Sequence, residues 1–191
     1  KMTGQFFFRD KVEICGGGHT TSPTDIRELP GKHTRVAFYF NDGSSLYFND
    51  MRMFGYVKIA TAEEVANAKT RFGQEPIADD FDTELFASAL KRRRTSIKAA
   101  LLDQTFIAGL GNIYVDEALF VARVKPTRQT DKVTKKEAYA IAKASGEVMK
   151  KAITLGGTTF QHFADTDNKR GNFTNYLKVF GKQNTPCPRC Q

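Results

Sequence analysis

The chain has 191 residues, 40% of them hydrophobic and 26% charged, which excludes global disorder and suits one ordinary domain or two small ones. No stretch approaches the ~18–20 consecutive apolar residues of a membrane span. Lysine and arginine exceed the acids by 29 to 21, a net charge of +8. Such a balance favours an anionic partner, nucleic acid before a membrane surface, and plain solubility is the other reading of the same excess.

Taken in chain order, the first sixty residues read as β. Residues 5–14 mix aromatic and β-branched side chains with charges, and Gly16-Gly17-Gly18 breaks that pattern. Val36 to Phe40 and Leu46 to Phe48 flank Asn41-Asp42-Gly43-Ser44-Ser45. Alternation places Val36, Phe38 and Phe40 on one face, and the Asp-Gly step suits a tight hairpin. A third strand is expected over residues 56–59. Together these make part of an antiparallel sheet rather than a complete β domain.

Residues 72–81 read as a linker, with Gly73, Pro76 and the polar Ala78-Asp79-Asp80. The period then becomes helical. Asp82 can cap a helix carrying Leu85, Phe86, Ala89 and Leu90 on one face and ending in Lys91-Arg92-Arg93-Arg94. Cations complement a helix C-terminus, so this run is either helix design or phosphate contact. An apolar helix follows over residues 96–104, then a Gly-containing turn, Ala108 to Gly111, and an Asn112-capped helix over residues 113–121. Thr134-x-x-Glu137 is a capping box opening a longer helix with Ile141, Val148, Met149, Ala152 and Ile153 at helical spacing, closed by Gly156-Gly157. Residues 164–172 carry no large apolar side chain and read as an exposed loop. Residues 176–180 return to a strand pattern.

Three cysteines argue against a disulfide-stapled secreted protein. Cys15 stands alone, whereas Cys187 and Cys190 form a Cys-x-x-Cys. Two thiolates cannot complete the four-ligand shell of a structural zinc. With Lys1 standing where an initiator Met is usual, the chain reads as cut at both ends.

The segment from Leu101 to Glu117, LLDQTFIAGLGNIYVDE, carries the strongest signal. A glycine-rich turn leading into a helix start presents free backbone N–H groups to an anion, although Gly-Asn at a helix start is commonly only a cap. At this length the wording resembles the helix–two-turn–helix of the formamidopyrimidine-DNA glycosylase family. The resemblance continues in family order through Lys1-Met2-Thr3-Gly4, Asp42-Gly43, Asn49-Asp50-Met51-Arg52-Met53-Phe54-Gly55, Gly156-Gly157-Thr158-Thr159, Val179-Phe180-Gly181-Lys182 and Pro186-Cys187-Pro188-Arg189-Cys190. Met51 and Met53 depart from the family's usual Pro and second Arg.

The resemblance implies an α+β multidomain fold: a partial N-terminal antiparallel β-sandwich over 1–72, a linker over 73–81, a helix–two-turn–helix DNA-binding domain over 82–175 and a truncated zinc-finger hairpin over 176–191. It implies a bifunctional DNA glycosylase/AP lyase of base-excision repair, removing oxidised purines (8-oxoguanine and formamidopyrimidines) from double-stranded DNA. The nucleophile would be an N-terminal proline amine forming a Schiff base, assisted by a Glu and a Lys. All three are expected upstream, Lys1 has no catalytic role, and the chain alone is expected to be inactive.

For the DNA-handling surface, the resemblance implies that Met2, Arg52 and Phe54 fill the gap left by an everted base. His33, Arg93, Asn112 and Lys182 fall at DNA-contacting positions. Thr166, Asn168, Lys169 and Arg170 lie in a loop that covers the flipped purine. Cys187 and Cys190 would supply half of one structural zinc site. The protein is expected to be a cytoplasmic monomer with no membrane partner. Three alternatives stand: a pyrimidine-directed (Nei-type) enzyme of the same family, a catalytically inactive damage binder, and an unrelated RNA-binding domain with a zinc ribbon.

Overall fold

A computed structural model describes residues 4–19, 28–158, 163–164 and 172–191. The chain forms two compact units, residues 1–59 with 155–175 and residues 60–154 with 176–191. The expected division had put residues 73–81 in a linker and 155–175 with the helices.

The first unit is a five-stranded antiparallel sheet in the order β3-β4-β1-β2-β5, the single sheet among the described residues. Its strands are β1 (Gly4–Arg9), β2 (Ile14–His19), β3 (Thr34–Tyr39), β4 (Ser45–Asp50) and β5 (Phe163–Ala164). The β3–β4 hairpin turns where the Asp-Gly step expected it. Gly43 takes φ +85, its N–H donates to Phe40 O, and Asp42 Oδ1 accepts from the Ser44 N–H at 2.8 Å. Phe7, Tyr47 and Leu29 form the buried side of the sheet, with Ala37 against them.

Two strand expectations need correction. The triple glycine lies inside β2 rather than ending it, because the Phe7 ring covers Gly16 and a Cβ there would sit 2.3 Å from Phe7 Cδ1. Residues 56–59 form no strand: both edges of β4 are taken, by β3 and β1, so the departing chain cannot pair back onto it. Tyr56 and Ile59 are left 84% and 98% exposed.

The second unit holds α1 (Ala62–Lys69), α2 (Thr83–Arg92), α3 (Ile97–Leu102), α4 (Asn112–Ala122) and α5 (Lys135–Thr154). Helix α1 was not foreseen, although Thr61 and Glu64 form the same reciprocal cap as Thr134 and Glu137. Asp82 caps α2 as expected, accepting from the Glu84 and Leu85 N–H groups at 2.9 Å. Phe86, Leu90, Ile97, Leu101, Ile107, Leu110, Val115, Leu119 and Ile141 make one core. Residues 73–81 are stitched to this unit: Gly73 N–H donates to Gln104 O at 2.9 Å, and Ala108 N–H donates to Gln74 O at 3.0 Å. No described helix is long and apolar enough to cross a membrane.

Candidate nucleic-acid interface

In the sheet unit, the site is the loop that leaves β4. Asp50 is buried, and its carboxylate folds the chain back on itself. Oδ2 accepts from the Gly55 N–H at 2.6 Å, and Oδ1 accepts from the Arg52 N–H at 3.3 Å. The Asp50 backbone is fixed as well, its N–H donating to His33 O at 2.9 Å and its carbonyl accepting from Arg35 Nε at 2.8 Å. Met53 takes the left-handed conformation (φ +55) that lets residues 50–55 close so tightly.

Closure turns Arg52 and Phe54 outward together. The Arg52 guanidinium lies over the Phe54 ring at 5.3 Å, and Phe54 remains 69% exposed. A cation stacked on an exposed flat ring can both pair with and stack on a nucleobase. His33 lies at the base of the same loop, its buried Nδ1 making no hydrogen bond among the described residues. Met51 and Met53 occupy the positions of the family's Pro and Arg, so the loop owes its shape to Asp50. Met2 lies outside the described residues.

In the helical unit, the site is the turn between α3 and α4. Gly109 adopts φ +88, and Gln104 bridges the turn: Nε2 donates to Leu110 O at 2.7 Å, while Oε1 accepts from the Gly109 N–H at 2.9 Å. The helix cap is Gly111, not Asn112 as expected. Gly111 is extended (φ −111, ψ −179) and offers no side-chain oxygen, so Asn112 becomes the first helical residue, exposed at the helix start. Its side chain is therefore not spent on capping its own helix. An uncapped N-terminus with its dipole aimed at solvent suits a phosphate.

Arg93 does not face outward. Its guanidinium pairs with Asp103 at 2.6 Å and lies 4.4 Å over the Phe106 ring. The Thr105 hydroxyl, then Arg93, then the Thr105 N–H hold the Asp103 carboxyl down to about 2. Arg93 thus braces the chain entering the turn.

Lys182 is exposed on a turn just beyond a buried anchor. Glu117 of α4 is 2% exposed, and its carboxylate accepts the N–H groups of Lys178, Val179 and Phe180 at 2.8, 2.9 and 2.9 Å. This corrects the strand expected over residues 176–180. A short 3₁₀ turn over Phe173–Tyr176 gives way to amides that Glu117, rather than a neighbouring strand, satisfies. One turn along α4 from Glu117, the Phe120 ring lies 4.1 Å beneath the Arg189 guanidinium. Arg189 thus rests the cysteine segment on α4.

Cys187 and Cys190 share one turn, closed by the Gln191 N–H donating to Cys187 O at 2.9 Å. The N–H groups of Arg189 and Cys190 point at the Cys187 sulfur and lower the pKa of its thiol, while that of the Cys190 thiol, which donates a hydrogen bond to Cys187, is pushed up. Paired sulfurs with amides aimed at one of them fit half of a tetrahedral zinc site. Among the described residues no third His, Cys, Asp or Glu joins them. The proposed purine-covering residues Thr166, Asn168, Lys169 and Arg170 lie outside the described residues.

Sequence reasoning quoted Asp50, Gln104 and Glu117 only as parts of longer motifs and gave them no role. Local pattern does not pair them with the amides they accept, those of Lys178, Val179 and Phe180 being sixty-one to sixty-three residues from Glu117.

Residues 1–57 match the family model of the formamidopyrimidine-DNA glycosylase N-terminal domain, and residues 72–164 match that of the formamidopyrimidine-DNA glycosylase H2TH domain. The formamidopyrimidine-DNA glycosylase of Desulforamulus reducens is 41% identical over 161 residues, covering 83% of this chain and 58% of the relative. That of Pelotomaculum thermopropionicum is 39% identical over 192 residues, covering 100% of this chain and 64% of the relative. The Lactococcus lactis Fpg in complex with DNA containing an abasic site superposes with a TM-score of 0.79 at 30% identity, over 100% of this chain and 65% of that one. The chain thus spans 58–65% of the length of these relatives. By two family models, its curated relatives and its fold, the chain belongs to the formamidopyrimidine-DNA glycosylase family.

Proposed function

We propose that this chain is the DNA-handling part of a base-excision repair enzyme, a DNA glycosylase/AP lyase acting on oxidised purines. The observation that carries the reading is the Asp50-closed loop with Arg52 stacked on an exposed Phe54. A duplex surrenders a base to an active site only if the gap behind it is filled, and a guanidinium on a flat ring does that. Met2 joins the pair by family resemblance. His33, Asn112 and Lys182 grip the backbone, with Asn112 and the α4 N-terminus taking a phosphate. Arg93 acts one step back, bracing the turn through Asp103.

The chemical step, attack of a proline amine on the sugar C1′, is assigned to no residue of this chain. An α-amino group has a pKa about two to three units below that of lysine, so much more of it is neutral and nucleophilic at pH 7. Cys187 and Cys190 would hold two corners of a structural zinc, whose part is to fix a hairpin too small to fold alone. Damaged double-stranded DNA is the partner, and the protein acts as a cytoplasmic monomer. The purine preference rests on the loop of residues 164–172, which family members use to cover a flipped purine. Excision by a full-length protein carrying this chain should favour oxidised guanine over thymine glycol. The reverse preference would assign it to the pyrimidine-directed branch, and binding without excision would make it a damage binder.

A further inference from the structure

The run Lys91-Arg92-Arg93-Arg94 divides in two. Arg93 turns inward to Asp103 and Phe106. Lys91, Arg92 and Arg94 line one open basin together with Gln129 and Asp131. Among the described residues none of these three cations has an ion-pair partner, and one carboxylate, Asp131, lines the basin with them. Glu84 pairs with Lys135, Asp103 with Arg93, Glu137 with Arg128, and Asp131 lies 3.8 Å from Lys132. Helix-dipole complementarity accounts for part of this run, with Lys91 and Arg92 in the last turn of α2 and Arg94 just past its C-cap at Arg93.

The basin is well supported. Thr130 N–H donates to Thr95 O at 3.0 Å, and Ile97 N–H donates to Arg128 O at 2.8 Å, joining the segment after α4 to the start of α3. The buried Thr130 hydroxyl donates to Arg93 O. These bonds place the basin beside the start of α3, whereas the Gly109–Asn112 turn follows its end.

We infer that Lys91, Arg92 and Arg94 form a second DNA-backbone contact, apart from that at the Asn112 turn and blind to the lesion. The inference rests on the DNA-binding reading above and adds to it a lesion-independent grip. Three convergent cations without acidic partners suit successive phosphates of a duplex, whose backbone can follow an open surface.

The test is equilibrium binding of the 191-residue chain to undamaged and abasic-site duplexes of about thirty base pairs, across a salt series. The triple variant Lys91→Ala, Arg92→Ala, Arg94→Ala should lower the log–log salt slope by about 2 to 3 and weaken binding about 10- to 100-fold at low salt. The loss should be equal for damaged and undamaged DNA. A charge-conserving triple, Lys91→Arg, Arg92→Lys, Arg94→Lys, should retain both slope and affinity. An unchanged slope in the alanine triple, with Asn112→Ala still weakening binding, overturns the inference and leaves the DNA reading standing. If the unaltered chain binds neither duplex, the reading itself fails. A loss in the charge-conserving variant equal to that in the alanine triple, or a loss confined to structured RNA or to self-association, also overturns it.

Discussion

The Gly55 N–H donates to Oδ2 of buried Asp50 at 2.6 Å, closing a six-residue span whose outward members are Arg52 and Phe54. A carboxylate acceptor does here what a proline ring would otherwise do by limiting φ. Asp50→Ala should leave the Arg52 and Gly55 amides without their acceptor and cost about 1.5–3 kcal/mol, the range for hydrogen bonds to a charged group. Denaturant unfolding measures it. Affinity for lesion duplex should fall in step, because Arg52 and Phe54 lose their common orientation.

Gln104 is the corresponding clasp in the helical unit. Gln104→Leu removes both the donor to Leu110 O and the acceptor for the Gly109 N–H. A loss of about 1–3 kcal/mol is expected, with weaker binding to any duplex, damaged or not. Gly109→Ala acts by another route, since φ +88 strains any L side chain by about 1–2 kcal/mol. The added Cβ also meets Met149 Cε at 2.7 Å, the flexible end of a side chain that can move aside. Thermal unfolding of both variants separates a lost clasp from a strained one.

Glu117 binds three consecutive amides, so Glu117→Ala is expected to be more damaging than either change above, by about 2–4 kcal/mol. Glu117→Gln keeps one carbonyl for Val179 and Phe180 but turns a donor toward the Lys178 N–H. It should recover part of that stability. Amide hydrogen exchange at residues 178–180 reports the loss directly, with protection falling in the order wild type, Gln, Ala.

Acid sensitivity follows from carboxyls held below their ordinary values, two of them in the helical unit. Asp103, at about 2 against 3.8, is lowered by Thr105 and Arg93, and Glu137 is lowered chiefly by the Thr134 N–H. A depressed pKa stabilises the fold above the unfolded value and ceases to do so as pH falls through the folded one. The Asp103 contribution should therefore be complete above about pH 5 and lost between about pH 4 and 2. Asp103→Asn should flatten that part of the curve of unfolding midpoint against pH. An unchanged curve would show that the pair contributes nothing.

Much of this architecture was legible in the residues. Asp82, Thr134 with Glu137, and Asp42-Gly43 announced two helix starts and a hairpin, because caps and turns are local chemistry. Long-range choices were not legible. Gly16 is tolerated in a strand only because Phe7 crosses over it, and residues 56–59 stay unpaired only because β4 has no free edge. Residues 176–180 look strand-like until a glutamate sixty-one residues earlier takes their amides. Asn112 misled in a smaller way, since the glycine before it is the cap. In the candidate site, Arg52, Phe54 and Asn112 were found by motif, whereas the groups that hold them needed coordinates.

Salt dependence distinguishes a phosphate-gripping surface from a merely basic one. If six to ten phosphates are engaged, affinity for duplex should fall about 10³–10⁵-fold between 50 and 200 mM salt. A flat response, measured by fluorescence anisotropy, would contradict the proposed surface.

The most direct measurement is the preference of the chain for abasic-site duplex over intact duplex, compared between wild type and the double variant Arg52→Ala, Phe54→Ala. Stacking of a base on an aromatic ring is worth about 1–3 kcal/mol, so the variant should lose most of that preference, about tenfold or more, while its binding to single strands changes little. A double variant that still prefers the abasic duplex as strongly as wild type would contradict the account.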